Sequence, residues 1–255
     1  MDMKSQRSVR VVILAGGKGT RMKSERPKVL TLVGGKPILA HLLASVRASG
    51  IDPHPVLIIG YRGDDIRAAM GDACAYAVQT EQLGTGHAVS VARSAVGAAD
   101  AVVVLYGDHP FVSAQTMRRL VSRHKERKNT LTLMTTTIPS FDGWYKAFER
   151  WGRILRGVDG HITNIRQFKD ASEAEKEIRE VDPALFCFDA AWLWPNVAAL
   201  RNENAQKEYY LTDLIATAIA QGRMISSIPV QPEEVVGINT PEEREIAEQI
   251  LRKQS

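Results

Sequence analysis

Hydrophobic positions along the chain follow two alternating rhythms. Val9 to Leu14, Pro55 to Ile59, Ala101 to Leu105 and Leu131 to Thr137 are short apolar runs and predict strands. Between them the apolar residues take helical spacing. Ile38, Leu39, Leu42, Leu43 and Val46 form one stripe closed by Gly50, and a second helix is predicted from about Ser113 to His124. Val102 to Leu105 is continuously apolar rather than alternating, the mark of a central strand buried on both faces. Strands alternating with helices predict an α/β fold around a mostly parallel sheet. Near the end, Thr240, Pro241 and Glu243 occupy the N-cap, N1 and N3 positions of a capping box, so a last helix is expected over 241–252. Pro139 to Trp151 has neither rhythm, is rich in aromatic residues and reads as a flap.

Length and composition narrow the picture. The 255 residues can bury a sizeable core. No repeat, low-complexity tract or long linker interrupts them, so one domain is expected. With 33 Lys and Arg against 29 Asp and Glu the net charge is +4, and the charges are interspersed. That suits small anionic ligands and gives no tract that would follow a nucleic-acid backbone; the basic stretch Arg118 to Lys128 reads as a solvated helix face. Cys74 and Cys187 lie among apolar neighbours without metal-ligand or disulfide spacing. The apolar run after the polar start spans only Val11 to Ala15, too short for a signal peptide or a membrane span. A cytoplasmic protein with no membrane partner is the expectation.

Candidate chemistry begins where the first strand ends. Leu14, Ala15, Gly16, Gly17, Lys18, Gly19, Thr20 and Arg21 form a turn whose glycines let backbone N–H groups approach an anion, while Lys18 and Arg21 add positive charge. This phosphate cradle is not a Walker A loop, and Met22 stands where the dinucleotide fingerprint needs its third glycine. Pro27-Lys28 supplies a second cation on a fixed turn. Gln79 carries a donor and an acceptor on one amide, as the imide edge of uracil requires, and Gly84-Thr85 adds backbone and hydroxyl groups. His87 reads as structural. Asp108 ends a buried parallel strand, the edge where open α/β sheets bind ligands. Asp108 with Asn239 offers one carboxylate and one amide oxygen, a set suited to Mg²⁺ that keeps waters and shares a nucleotide's phosphates.

Leu14 to Met22 followed by Pro27-Lys28 resembles the signature of the sugar nucleotidyltransferases. Gln79 to Ala88, Tyr106-Gly107-Asp108, the stretch Asn204-Ala205-Gln206 to Glu208-Tyr209-Tyr210 and Thr212-Asp213, and Gly237-Ile238-Asn239 narrow the resemblance to the N-acetylglucosamine-1-phosphate uridyltransferase family. The match is collinear from about Val9 to Glu248. It implies a Rossmann-like three-layer fold with a mixed, mostly parallel central sheet. It also implies a nucleotide-binding part over about 9–110 and a sugar-binding part over about 111–240, with UTP and a sugar-1-phosphate as substrates. By resemblance Arg21 and Lys28 are catalytic, Asp108 and Asn239 hold Mg²⁺, and Tyr106, Gly152, Gln167, Asp182, Tyr210 and Thr212 serve the sugar; Tyr210 reads equally as helix-entry packing.

Two departures fall on the sugar side. The family has glutamate where this chain has Gln167, and Asn-Thr-Gly where it has Asp182-Pro183-Ala184. Those exchanges rearrange the donors and acceptors offered to the hexose, so a different hexose-1-phosphate stays open, as do another base and a non-catalytic sugar-nucleotide sensor. Full-length members add a left-handed β-helix that acetylates glucosamine-1-phosphate. This sequence contains no hexapeptide repeat, so uridylyl transfer is the activity expected of these residues, whether they stand alone or belong to a longer protein.

Overall fold

The computed structural model describes residues 8–22, 24–204 and 206–254. Ala205, part of the motif at Asn204, lies outside them. The strands are β1 (Val9–Leu14), a small hairpin of β2 (Leu32–Val33) and β3 (Lys36–Pro37), β4 (Val56–Ile59), β5 (Ala75–Val78), β6 (Ala101–Tyr106), β7 (Leu131–Thr137), β8 (Gly152–Arg156), β9 (Ile162–Arg166), β10 (Glu180–Asp182), β11 (Phe186–Asp189) and β12 (Ile225–Pro229). Apart from the hairpin they form one sheet in the order β5-β4-β1-β6-β11-β7-β10-β8-β9, with β12 paired to β7.

Helices cover both faces because the central strands are apolar on both. Val11, Ile13, Val103 and Leu105 pack with Leu39, Leu42 and Val46 of helix Ile38–Ser49 and with Met117 and Leu120 of helix Ala114–Arg127. Val12, Val102 and Val104 face the other way, against Ala88 and Val89 of helix Thr85–Val91 and Leu193 of helix Ala190–Ala198. The result is the three-layer α/β arrangement, and each such side chain buried contributes roughly 1.5–3 kcal/mol.

The sheet is mixed. β1, β4, β5 and β6 are mutually parallel, and β12 is parallel to β7. All pairs among β6, β11, β7, β10, β8 and β9 are antiparallel. Antiparallel neighbours therefore enter after β6, yet β7, β8 and β12 keep the sense of β1, and only β9, β10 and β11 oppose it. Later connections such as 157–161 are too short for a crossover, which needs a dozen residues or more, so they return antiparallel.

Local signals were sound, with boundary shifts. Gly50 ends its helix in the left-handed conformation, φ 69°. Ser113 caps the next helix by accepting from the Thr116 N–H, and that helix runs on to Arg127 because polar residues continue it after the apolar stripe stops. The capping box at Thr240 and Glu243 forms in both directions. Pro139 to Trp151 is not a free flap. It is anchored by a 3-10 turn, Gly143–Phe148, whose Phe148 is fully buried with Trp144 and Trp151 at 5.6 and 4.7 Å. No helix among the described residues is long and apolar enough to cross a membrane.

Candidate active site

The ends of β1, β4 and β6 open onto one cavity of about 230 Å³, lined by Leu14, Ala15, Gly16, Gly17, Lys28, Gln79, Gly84, Thr85, Tyr106, Asp108 and Glu208 among others. Ten residues singled out from the sequence thus share one wall-to-wall space. A larger surface groove of about 710 Å³ beside Ser90, Arg93 and Trp194 contains none of them, and size alone does not mark the site.

The glycines of the first loop do different work. Gly19 sits at φ 60°, and a Cβ there would lie 2.6 Å from the Cβ of Lys28, so its bareness lets the lysine stem pass. Gly16 is packed against Gly60, and its carbonyl accepts the Tyr61 N–H at 3.2 Å. Gly17 has open space where a side chain would point. Thr20 and Arg21 are exposed on the short turn Thr20–Met22 at the edge of the site rather than in the cavity wall.

Three expected residues converge on a single point. The Lys28 ammonium donates to Asp108 Oδ2 at 2.5 Å and to Asn239 Oδ1 at 2.8 Å. Asn239 is brought there by the backbone, since the Ile238 N–H donates to the Asp108 carbonyl at 3.0 Å. Burial pushes the Asp108 carboxyl up, but Lys28 and His109 outweigh it and hold the group below the usual carboxylate range. An ammonium stands here against two oxygens that suit a hard cation. Among the described residues no group of three or more His, Cys, Asp and Glu assembles elsewhere, and this pair fits an ion that keeps several waters and takes its remaining ligands from a nucleotide.

Gln79 is buried, and its amide nitrogen donates to the Gly84 carbonyl at 3.0 Å and meets His87 Nδ1 at 3.1 Å. His87 thus orients Gln79, consistent with a structural reading. The Thr85 hydroxyl accepts the Leu211 N–H at 3.0 Å and lies beside the Tyr106 phenol. With Gly86 N–H donating to Tyr209 O at 2.7 Å and Tyr209 N–H to Leu83 O at 2.8 Å, a backbone seam joins the stretch 83–86 to 209–211. Tyr106, expected on the sugar side, belongs to the cavity wall at this seam.

The remaining sugar candidates form a second cluster. Asp182 pairs across β10 and β8 with Gly152, where a Cβ would come within 3.5 Å of Gln167 Nε2. Gln167 in turn donates to the Thr212 hydroxyl at 3.3 Å. Asp182 is buried, accepts only the Ala184 N–H at 2.8 Å, and burial pushes its carboxyl up to about 7. Burial, and then the charges of Glu208, Asp170 and Asp213, push the Tyr210 phenol up.

Glu208, placed within its motif but given no role, lines the cavity wall, and sequence reasoning missed His109. The His109 ring is buried beside Asp108, with Nε2 3.7 Å from Oδ1, and burial holds its pKa down despite that charge. Only its place next to Asp108 hinted at it. Arg153 was also unread: its guanidinium, fully buried, donates to the carbonyls of Lys176, Trp151 and Glu149 and lies over Phe141 and Phe168. It clamps the aromatic segment to the loop that carries Gln167.

The arrangement matches known proteins. The bifunctional protein GlmU of Heliobacterium modesticaldum is 41% identical over 243 residues, covering 94% of this chain and 51% of that protein. GlmU of Psychrobacter sp. is 42% identical over 230 residues, 89% of this chain and 48% of that protein. The chain thus spans about half the length of these curated relatives. Two solved structures share the fold: one described as a glucose-1-phosphate thymidylyltransferase from Bacillus anthracis (TM-score 0.76, 18% identity, 96% of each chain) and CMP:2-keto-3-deoxy-manno-octonic acid synthetase with CTP (TM-score 0.71, 16% identity, 97% and 100%). The family model for the MobA-like NTP transferase domain matches residues 11–213, and the chain belongs to that family.

Proposed function

We propose that this chain transfers a uridylyl group from UTP to a sugar-1-phosphate, in the first instance N-acetylglucosamine-1-phosphate, and releases pyrophosphate. The observation that carries this reading is the convergence of Lys28, Asp108 and Asn239 beside a cavity that holds both the glycine loop and Gln79. Phosphate binding, a cation site and a uracil-sized amide partner stand side by side.

A sugar-phosphate oxygen attacks the α-phosphorus of UTP in line, and the bond from that phosphorus to the bridging oxygen breaks as pyrophosphate leaves. The attacking phosphate is already ionised at neutral pH, so no general base is required and catalysis is positioning with charge neutralisation. Backbone N–H groups at Ala15 to Thr20 cradle the phosphates. Arg21, at the loop's outer edge, faces the leaving pyrophosphate; Lys28 turns from its internal partners to the reacting phosphates. Asp108 and Asn239 would hold Mg²⁺, which supplies charge neutralisation across the phosphates when bound. Gln79 with Gly84 and Thr85 reads the base. Gly152, Gln167, Asp182, Tyr210 and Thr212 receive the sugar, with Tyr106 at the junction.

This reading takes the chain as one nucleotidyltransferase domain, nucleotide-binding over about 9–110 and sugar-binding over about 111–240, working in the cytoplasm. A second reading, a hexose-1-phosphate other than the N-acetylated one, is favoured by the buried carboxylate at Asp182. Pyrophosphate release measured over a panel of sugar-1-phosphates with UTP, CTP, GTP and dTTP tests both readings. UTP should give the fastest release, and Asp108→Ala should abolish it; near-normal turnover of that variant would refute the assignment. Binding of UDP-sugar with no release from any pair would instead mark a sensor.

A further inference from the structure

The capping box of the last helix is unusual in what its glutamate holds. Glu243 Oε2 accepts the Thr240 N–H at 3.0 Å, as a capping box requires, but it also accepts the Asn239 N–H at 2.5 Å. The residue whose amide oxygen meets Lys28 and sits beside Asp108 is thus held at its backbone by a carboxylate of helix Pro241–Gln254. Two tethers fix this short segment: the Asp108 carbonyl binds Ile238 N–H on one side, and Glu243 binds Asn239 N–H on the other. Glu243 is part-buried. Burial pushes its carboxyl up, and the Asn239 N–H and the charge of Arg21 only partly offset this. Helix capping alone does not need the Asn239 bond.

We propose that Glu243 is a positioning residue for the reaction: its carboxylate fixes the backbone of Asn239 and so aims that side chain's oxygen at the cation site shared with Asp108. Groups behind the direct ligands of a metal typically govern affinity about 10- to 100-fold. The proposal rests on reading Asp108 and Asn239 as cation ligands.

The test compares Mn²⁺ binding, read by electron paramagnetic resonance in the presence of UTP, with melting temperature for Glu243→Ala, Glu243→Gln and Thr240→Ala. Thr240→Ala breaks the reciprocal cap bond and leaves the Asn239 tether in place. Glu243→Ala should weaken Mn²⁺ binding about tenfold. Thr240→Ala should lower the melting temperature to a similar extent yet bind Mn²⁺ within about twofold of the wild type. Glu243→Gln, which keeps an acceptor oxygen, should restore most of the binding. Equal weakening by Thr240→Ala, or none by Glu243→Ala, would overturn the proposal. If Glu243→Ala does not fold, Glu243→Asp carries the same comparison, because it keeps the charge and falls one methylene short of Asn239; wild-type binding would then overturn it. Asp108→Ala and Asn239→Ala measured alongside separate the two ideas. If they bind Mn²⁺ normally, the ligand reading falls and this proposal with it; if they lose it while Glu243→Ala does not, the proposal alone falls.

Discussion

In the proposed function, the nucleotide and sugar halves of the site are built by different means. On the nucleotide side the surfaces are backbone: parallel strand ends, glycines that admit close approach, and a buried Gln79 held by a carbonyl and an imidazole. On the sugar side they are side chains on antiparallel strands, Gln167 against Thr212 and Asp182 beside Gly152. The first kind tolerates little change in shape, since backbone cannot yield. The second tolerates changes in chemistry, and it is where this chain departs from the family it resembles. Specificity for the sugar can therefore drift while the phosphate and base machinery stays fixed.

Gly84 gives the sharpest test of that contrast. It sits at φ 103°, and a Cβ would lie 2.7 Å from the Tyr209 carbonyl and 2.9 Å from its nitrogen, in the seam between the halves. Gly84→Ala should destabilise the protein by at least about 4 kcal/mol, combining backbone strain with overpacking, and raise the KM for UTP more than the KM for sugar. Gly152→Ala is the counterpart on the other side, where the nearest obstacle is the γ2 methyl of Ile165 at 2.9 Å. Its cost should be about 1–2 kcal/mol, because a side-chain methyl gives way more readily than backbone and Gly152 has no positive φ. Equal costs by chemical denaturation would erase the distinction between the halves.

Asp182 comes next, and its effect depends on pH. The folded state holds its carboxyl at about 7 against an ordinary 3.8, so folding favours the protonated form. The stability it contributes is full below about pH 4 and is lost as pH rises through 7. At about 1.4 kcal/mol per unit the loss is at most roughly 4 kcal/mol, and less where water reaches the group. Asp182→Asn, which mimics the protonated form, should match the wild type below about pH 4 and melt increasingly higher than it as pH rises to 8. The KM for sugar-1-phosphate should lose its change near neutrality in the variant. Parallel pH profiles of the two proteins would mean that the carboxylate has a partner in solution.

How far the sequence could be read follows the same division. The strand ends and loop glycines were legible because backbone function leaves local marks: an apolar run, a turn, a Gly. Lys28, Asp108 and Asn239 were each found in their own motif, although they are 80 and 211 residues apart along the chain from Lys28; topology assembled them. His109 and Arg153 were not legible. An Arg is ordinarily an exposed residue, and nothing local says that three carbonyls from Glu149, Trp151 and Lys176 will surround its guanidinium. The mixed, mostly parallel sheet was legible, but the places where antiparallel strands enter it were not, since pairing after residue 110 is set by topology rather than by strand composition. Ala184 shows both sides at once: the resembled family has Gly there, and the structure places this alanine at φ 58°, a left-handed conformation that costs about 1–2 kcal/mol.

The smallest effect on the fold should come from Gly17, and it separates shape kept for folding from shape kept for a ligand. Gly17 lines the cavity, has no positive φ and has nothing within 4 Å of where its Cβ would be. Gly17→Ala should leave stability within about 0.5 kcal/mol, or raise it slightly by restricting the unfolded chain. The methyl group would nevertheless occupy space beside the backbone N–H groups proposed to receive the triphosphate. The KM for UTP should then rise about tenfold, near 1.4 kcal/mol of lost binding, while the sugar-phosphate KM and the melting temperature stay put. If UTP affinity survives, the phosphates do not approach the loop at this residue, and the cradle must be drawn around Gly16 and Gly19 instead. If stability falls, Gly17 is kept for the fold, as Gly84 is, and the nucleotide side holds no glycine kept for the ligand alone.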